Sequence, residues 1–205
     1  MSQLFGLANH GSFVCTTRVH TLHPLVLRSY AINDSSQATY NVKIWQAARA
    51  TSAAPPFFRE IVITEGVSTT RLLDGALRLN NPINEAIREA NTLDSQRGYG
   101  CVISLGTGLK DGPALKGRDH IAKVIAACVK LATDSEVTAT QFLRDTVGTK
   151  LDKEGKYFRF QVPSRLARVK LDEWDKAEEV QEYVETYLES MRSQIGACAR
   201  TLLGE

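Results

Sequence analysis

Leu72-Leu73-Asp74-Gly75-Ala76-Leu77-Arg78-Leu79-Asn80-Asn81-Pro82 is the stretch on which the reading of this chain turns. An apolar strand delivers Asp74 into a glycine turn, and a rigid Asn-Asn-Pro follows. With no side chain on Gly75, a carboxylate at the end of such a strand stays reachable, and its surroundings can tune it. Catalytic bases are presented in this way. The plainer reading is that Asp-Gly is a common turn dipeptide whose aspartate only organises backbone. The apolar entry and the Asn-Asn-Pro exit favour the base, because the two asparagine amides can pin the loop through backbone hydrogen bonds.

Around this stretch, Glu60–Ile63 and Arg71–Leu73 read as short strands about a turn near Gly66. Asn84–Leu93 reads as a helix, with Ile83, Ile87 and Ala90 on one side. Upstream, Ser12–Arg18 and Leu25–Tyr30 are β-branched and apolar enough for strands. Residues 1–11 read as disordered or loop, and Ala31–Ala38 as a polar loop. Asn41–Thr51 has helical period, with Val42, Trp45, Ala47 and Ala48 on a shared face, and Pro55 and Pro56 end it. Downstream, Gly100–Leu105 is a continuous apolar run closing on Gly106-Thr107-Gly108, the pattern of a buried parallel strand.

Arg118–Ala132 is predicted to be a helix capped by Asp119, and Asp134–Thr146 a second, with Val137, Phe142 and Leu143 as its apolar members. Lys156–Val162 is an aromatic strand candidate. Leu171–Leu203 carries Trp174, Tyr183, Tyr187 and Met191 as a stripe at helical spacing. Strands alternating with helices predict an α/β fold. The expected organisation is a main domain over 12–165, followed by a C-terminal helix over 166–205 that can lead to a further domain.

Charge and composition narrow the function classes. Of 205 residues, 25 are basic and 23 acidic, so the net charge of +2 points to no polyanionic partner, nucleic acid included. The 43% apolar content suffices for a core, yet no run approaches the length of a membrane span. Met1–Gly11 has no basic segment leading into an apolar one, so no secretory signal is read there. Cys15, Cys101, Cys128 and Cys198 are widely spaced, without the clustering of a disulfide framework or zinc site. A reducing cytoplasmic setting fits that usage.

Other candidates are weaker. Ser104-Leu105-Gly106-Thr107-Gly108 resembles a phosphate cradle, but lacks the Gly-Lys-Ser/Thr of a nucleotide loop, and Lys110 does not supply it. Two glycines that permit a sharp exit from a strand explain it better. Gly66-Val67-Ser68-Thr69-Thr70 fails the Gly-x-Ser-x-Gly pattern at its last position, which leaves Ser68 a loop serine. His10, His20, His23 and His120 show no metal-ligand spacing.

Several blocks in order resemble the patatin-like phospholipases, and within them the larger fungal forms: LVLRSY (25–30), WQAARATSAAPPFF (45–58), LLDGALRLNNP (72–82), VISLGTG (102–108) and KYFRFQVP (156–163). The resemblance covers about residues 12–165 and the later part of the family domain. It implies a three-layer α/β fold with a mostly parallel sheet, and cleavage of lipid acyl esters by a Ser–Asp dyad. The dyad carboxylate lies in an Asp-Gly-Gly/Ala motif, here Asp74-Gly75-Ala76, and Asp74 takes the proton of the nucleophilic serine without a histidine between them. The family's glycine-rich oxyanion loop and Gly-x-Ser-x-Gly elbow precede the LVLRSY-like strand, and the expectation is that both, with their strands, are missing from this chain.

A lipid is therefore the expected substrate, with peripheral membrane contact, no nucleic acid and no cofactor or metal. The chain alone is expected to be inactive. The alternative is a non-catalytic binding or regulatory module that keeps the fold.

Overall fold

Two short connections decide how the first four strands pair. β1 (Phe13–Arg18) and β2 (Pro24–Arg28) are joined by residues 19–23, and β3 (Ile61–Glu65) and β4 (Ser68–Asp74) by Gly66-Val67. Such links can only turn the chain back antiparallel. Gly66 takes φ +58, a value that glycine reaches without strain. The four strands form one sheet in the order β2-β1-β4-β3, closed at its centre by antiparallel pairing of β1 with β4. The computed structural model describes residues 11–32, 41–55, 57–107, 135–162, 169 and 173–205.

Those residues fall into two compact units, one up to Leu93 and one from Asp94 onward. In the first unit, alternation along the strands puts Val14, Leu25, Leu27, Ile61, Ile63 and Leu72 on one face of the sheet. Helix α1 (Ile44–Thr51) covers that face with Ala47 and Ala50, and Val42 joins the same core. Small residues let the helix backbone approach the sheet. Gln46 reaches back to accept from the Lys43 amide at 2.8 Å, half of a capping box, and so starts the helix there.

The opposite face carries Cys15, Val26 and Arg28, and Arg28 meets Glu89 of helix α3 (Ile83–Leu93). Helix, sheet and helix make three layers, as an α/β fold requires. A single turn of helix, α2 (Ala76–Leu79), links β4 to α3.

Two expected helix faces are corrected here. Trp45 is 60% exposed and Ala48 also faces outward. Val42 precedes the helix, so a helical period counted from it selects the wrong stripe. In α3, Glu89 is buried in place of Ala90, because a partner 61 residues away neutralises its charge.

The second unit contains β5 (Val102–Gly106) and β6 (Tyr157–Gln161), paired parallel from Val102↔Tyr157 to Gly106↔Gln161. Parallel pairing thus occurs where the apolar run predicted it, but the strand is not buried, with Ile103 42% and Leu105 75% exposed. The larger sheet is antiparallel throughout, short turns imposing this on β1–β2 and β3–β4. Helices α4 (Ser135–Arg144) and α5 (Thr146–Lys153) stand between these strands in sequence. Ala139, Phe142 and Leu151 are buried, and the Phe142 ring packs on Tyr157 at 5.2 Å. Val137 and Leu143, expected in the apolar set of that helix, are exposed.

The expected long C-terminal helix is broken. A 3-10 turn (Trp174–Lys176) leads into α6 (Ala177–Ser190), and Met191 separates that from α7 (Arg192–Leu203). Trp174 is exposed, so the stripe does not begin there. The expected helix over 118–132 with its Asp119 cap lies outside the described residues, as do most of the 31–38 loop and the start of the chain.

Candidate active site

Asp74 is the last residue of β4, directly opposite Thr16 of β1. Three contacts position it. Its amide donates to the carbonyl of Ala53 at 3.1 Å, which ties it to the chain leaving α1. Its Oδ1 accepts from the Ala76 amide at 2.7 Å, the local bond of an Asx turn. Gly75 sits so close to β1 that an added Cβ would lie 2.3 Å from the Cys15 carbonyl oxygen. No other residue fits at that approach.

Among the described residues, Asp74 Oδ2 carries no hydrogen bond, and the side chain is half-buried. One oxygen is therefore held by the backbone while the other stays available to accept a proton. The turn thus occupies only one of the two carboxylate oxygens.

The asparagines divide the remaining work. Asn81 is buried and its Oδ1 accepts from the Ile83 amide at 3.2 Å, capping α3. The Pro82 carbonyl then accepts from Ala86, the first main-chain bond of that helix. Asn80 lies on the surface at the end of α2. The Asn-Asn-Pro exit thus fixes the direction in which the chain leaves Asp74.

Around this point β1 is polar although buried. Thr16 Oγ1 donates to the Leu25 carbonyl at 2.9 Å, and Thr51 Oγ1 donates to the Cys15 carbonyl at 2.7 Å. Thr17 Oγ1 is buried without a partner among the described residues. Burial pushes the Cys15 thiol up to about 12, with Glu85 and Glu89 adding to the effect, so it stays protonated at neutral pH.

A feature that sequence reasoning missed lies behind the sheet. The Arg28 guanidinium grips Glu89 with two hydrogen bonds of 2.5 Å, and the Tyr30 hydroxyl donates to the same carboxylate at 2.7 Å. Glu89 is 2% exposed and the Arg28 side chain 8%. Burial pushes the Glu89 carboxyl up, but the bonds from Arg28 and Tyr30 outweigh it and hold it below its usual value. Burial and the bond to Glu89 push the Tyr30 hydroxyl well above its ordinary range. The sequence signal was an arginine closing an apolar strand beside a tyrosine.

The other candidates sit elsewhere. Ser68 opens β4, so the six residues to Asp74 separate them by roughly 20 Å along the strand. His20 and His23 are exposed in the β1–β2 connection, beyond the end of β1 that faces Arg71 rather than Asp74. Ser104 is buried and takes a hydrogen bond from Arg159 at 3.0 Å, which fits a structural serine. Gly108, Lys110, His10 and His120 lie outside the described residues. Among the described residues, no group of three or more His, Cys, Asp or Glu is placed to hold a metal ion. None of their helices is long and apolar enough to cross a membrane.

Comparison with known proteins bears directly on this geometry. Residues 11–87 match the model of the patatin-like phospholipase family. That segment holds all four strands of the first sheet, α1 and the Asp74 turn.

Over most of its length, the chain is 29% identical, over 196 residues, to a calcium-independent phospholipase A2-gamma of Oryctolagus cuniculus, covering 92% of this chain and 24% of that protein. It is 38% identical over 87 residues to the Homo sapiens protein of the same name, 40% of this chain and 11% of that one. Phospholipase A I of Arabidopsis thaliana is 31% identical over 137 residues, 66% of this chain and 10% of that protein. The chain spans about a quarter or less of the curated relatives it matches.

Proposed function

We propose that this chain is the Asp-bearing part of a patatin-like lipid acyl hydrolase of fungal type, with Asp74 as its general base. The observation that carries this reading is the placement of Asp74: a half-buried carboxylate at a strand end, with Oδ1 held by Ala76 and Oδ2 unengaged among the described residues. In the reaction, Asp74 accepts the proton of a serine hydroxyl, and the serine oxygen attacks the acyl carbonyl. The alcohol or lysolipid leaves with a proton, and water hydrolyses the acyl-serine with Asp74 again as base.

The serine and the oxyanion donors are not read in these 205 residues, which contain no Gly-x-Ser-x-Gly string. The chain by itself is therefore expected to be inactive, since loss of even one oxyanion donor costs about 2.7–4 kcal/mol of barrier. That same missing string favours a second reading, a non-catalytic binding or regulatory module. Labelling by a fluorophosphonate probe separates the two. An enzyme, expressed with whatever its native gene encodes upstream, is labelled, and Asp74→Asn suppresses the labelling. A module is never labelled.

Lipid is the partner in the first reading, with cytoplasmic residence and peripheral contact at membranes. Support for the contact comes from Trp45, Phe57 and Phe58, all exposed, with the Arg49 guanidinium 5.4 Å above the Phe58 ring. Lys43 and Arg59 flank this set. Aromatic rings beside cations suit the interfacial zone of a bilayer.

A further inference from the structure

In the second unit, two elements far apart in sequence are brought side by side at one point. Cys101 immediately precedes β5, and the amide of its neighbour Val102 donates to the Lys156 carbonyl at 2.7 Å. The residue before Lys156, Gly155, accepts from Thr201 Oγ1 of α7 at 3.5 Å. Cys198 lies one helical turn before Thr201, on the same face of α7. The two anchors therefore set Cys198 against the start of β5, and there its thiol faces that of Cys101. Cys198 is 5% exposed, whereas Cys101 is half-exposed.

We propose that Cys101 and Cys198 are a peroxide-oxidisable pair that closes to an intramolecular disulfide and fastens α7 to the start of β5. Cys101 reacts first because solvent reaches it. Its thiolate attacks one oxygen of hydrogen peroxide, the O–O bond breaks, and hydroxide leaves as water after taking a proton, giving Cys101 sulfenic acid. Cys198 sulfur then attacks the Cys101 sulfur, the S–O bond breaks, and the oxygen departs as a second water with the Cys198 proton. Two thiols and one peroxide give one disulfide and two waters, and a dithiol reductant reverses the change.

The bond closes a loop of about one hundred residues, the class of cross-link that most restricts the unfolded chain. Burial pushes the Cys101 thiol up, with Cys198 adding to it, so only a small thiolate fraction of Cys101 meets peroxide at neutral pH and closure is slow. Cys15 is the internal control, because it is buried with no second cysteine described beside it.

The test is treatment of the folded chain with hydrogen peroxide, quenching with N-ethylmaleimide, and non-reducing peptide mapping by mass spectrometry. The expected result is a Cys101–Cys198 cross-linked peptide as the main product, lost on treatment with dithiothreitol, and a melting temperature raised by about 5 °C. In Cys198→Ala the peptide is absent and dimedone traps Cys101 as its sulfenic acid. Recovery of both cysteines as maleimide adducts after peroxide that fully oxidises glutathione overturns the proposal. So does a dominant cross-link to Cys15 or Cys128, or one between chains.

Discussion

Gly75 lies against the main chain of Cys15 so closely that a methyl group at position 75 would meet the Cys15 carbonyl oxygen at 2.3 Å. The β4 turn is thereby pressed onto β1 at the point where Asp74 leaves the sheet. Replacing Gly75 with alanine must push the two strands apart or tilt the turn. The expected cost is about 1–3 kcal/mol, from overpacking against backbone that cannot rotate away. Urea melts of Gly75→Ala against wild type check it; equal midpoints would contradict the close approach.

Glu89 and Arg28 give a prediction about acid. The folded carboxyl of Glu89 is held below its unfolded value, so the contribution is complete above about pH 4.5 and is lost as pH falls through the lower folded value. Glu89→Ala leaves the Arg28 charge buried without this partner, at a cost of about 3–5 kcal/mol near neutrality. The difference between wild type and variant should shrink as the pH is lowered from 5 to 2. A difference independent of pH over that range would show that lost packing, rather than charge, is responsible.

Trp45 is expected to matter at a surface and not in the core. Being 60% exposed, its replacement by alanine should change stability by no more than about 0.5 kcal/mol. Partitioning onto phosphatidylcholine–phosphatidylserine vesicles, read by sedimentation, should fall roughly fivefold to tenfold in Trp45→Ala. Unchanged partitioning with a destabilised fold would return Trp45 to the packing role first read for it.

These cases also show what periodicity can carry. Strand positions were legible because β-branched and apolar residues cluster wherever a sheet is half-buried, as in Phe13–Arg18 and Tyr157–Gln161. The turn that holds Asp74 was legible for a local reason: Asp74, Gly75 and Asn81 each make contacts fixed by immediate neighbours or by one close strand. Glu89 was not, because its burial depends on Arg28 and Tyr30, far away in the chain and invisible to any window.

The helix that follows Asp145 was missed for another reason. Thr146–Lys153 contains Gly148 and two lysines, and looks like a loop. Gly148 is needed there because a Cβ would fall 1.8 Å from the Phe142 carbonyl, a tertiary contact and not a propensity. Parallel and antiparallel pairing behaved likewise, since turn length and not strand composition made the β1–β2 and β3–β4 pairs antiparallel.

The most direct measurement is hydrolysis of a phospholipid with a labelled acyl chain by the protein as its native gene encodes it, wild type against Asp74→Asn. Asparagine keeps the shape of the side chain and its oxygen for the Ala76 amide, while removing the base. The account predicts acyl release by the wild type and a loss of at least about 100-fold in kcat for Asp74→Asn, with an unchanged melting temperature. No acyl release by the native protein, or release that survives Asp74→Asn, would contradict it.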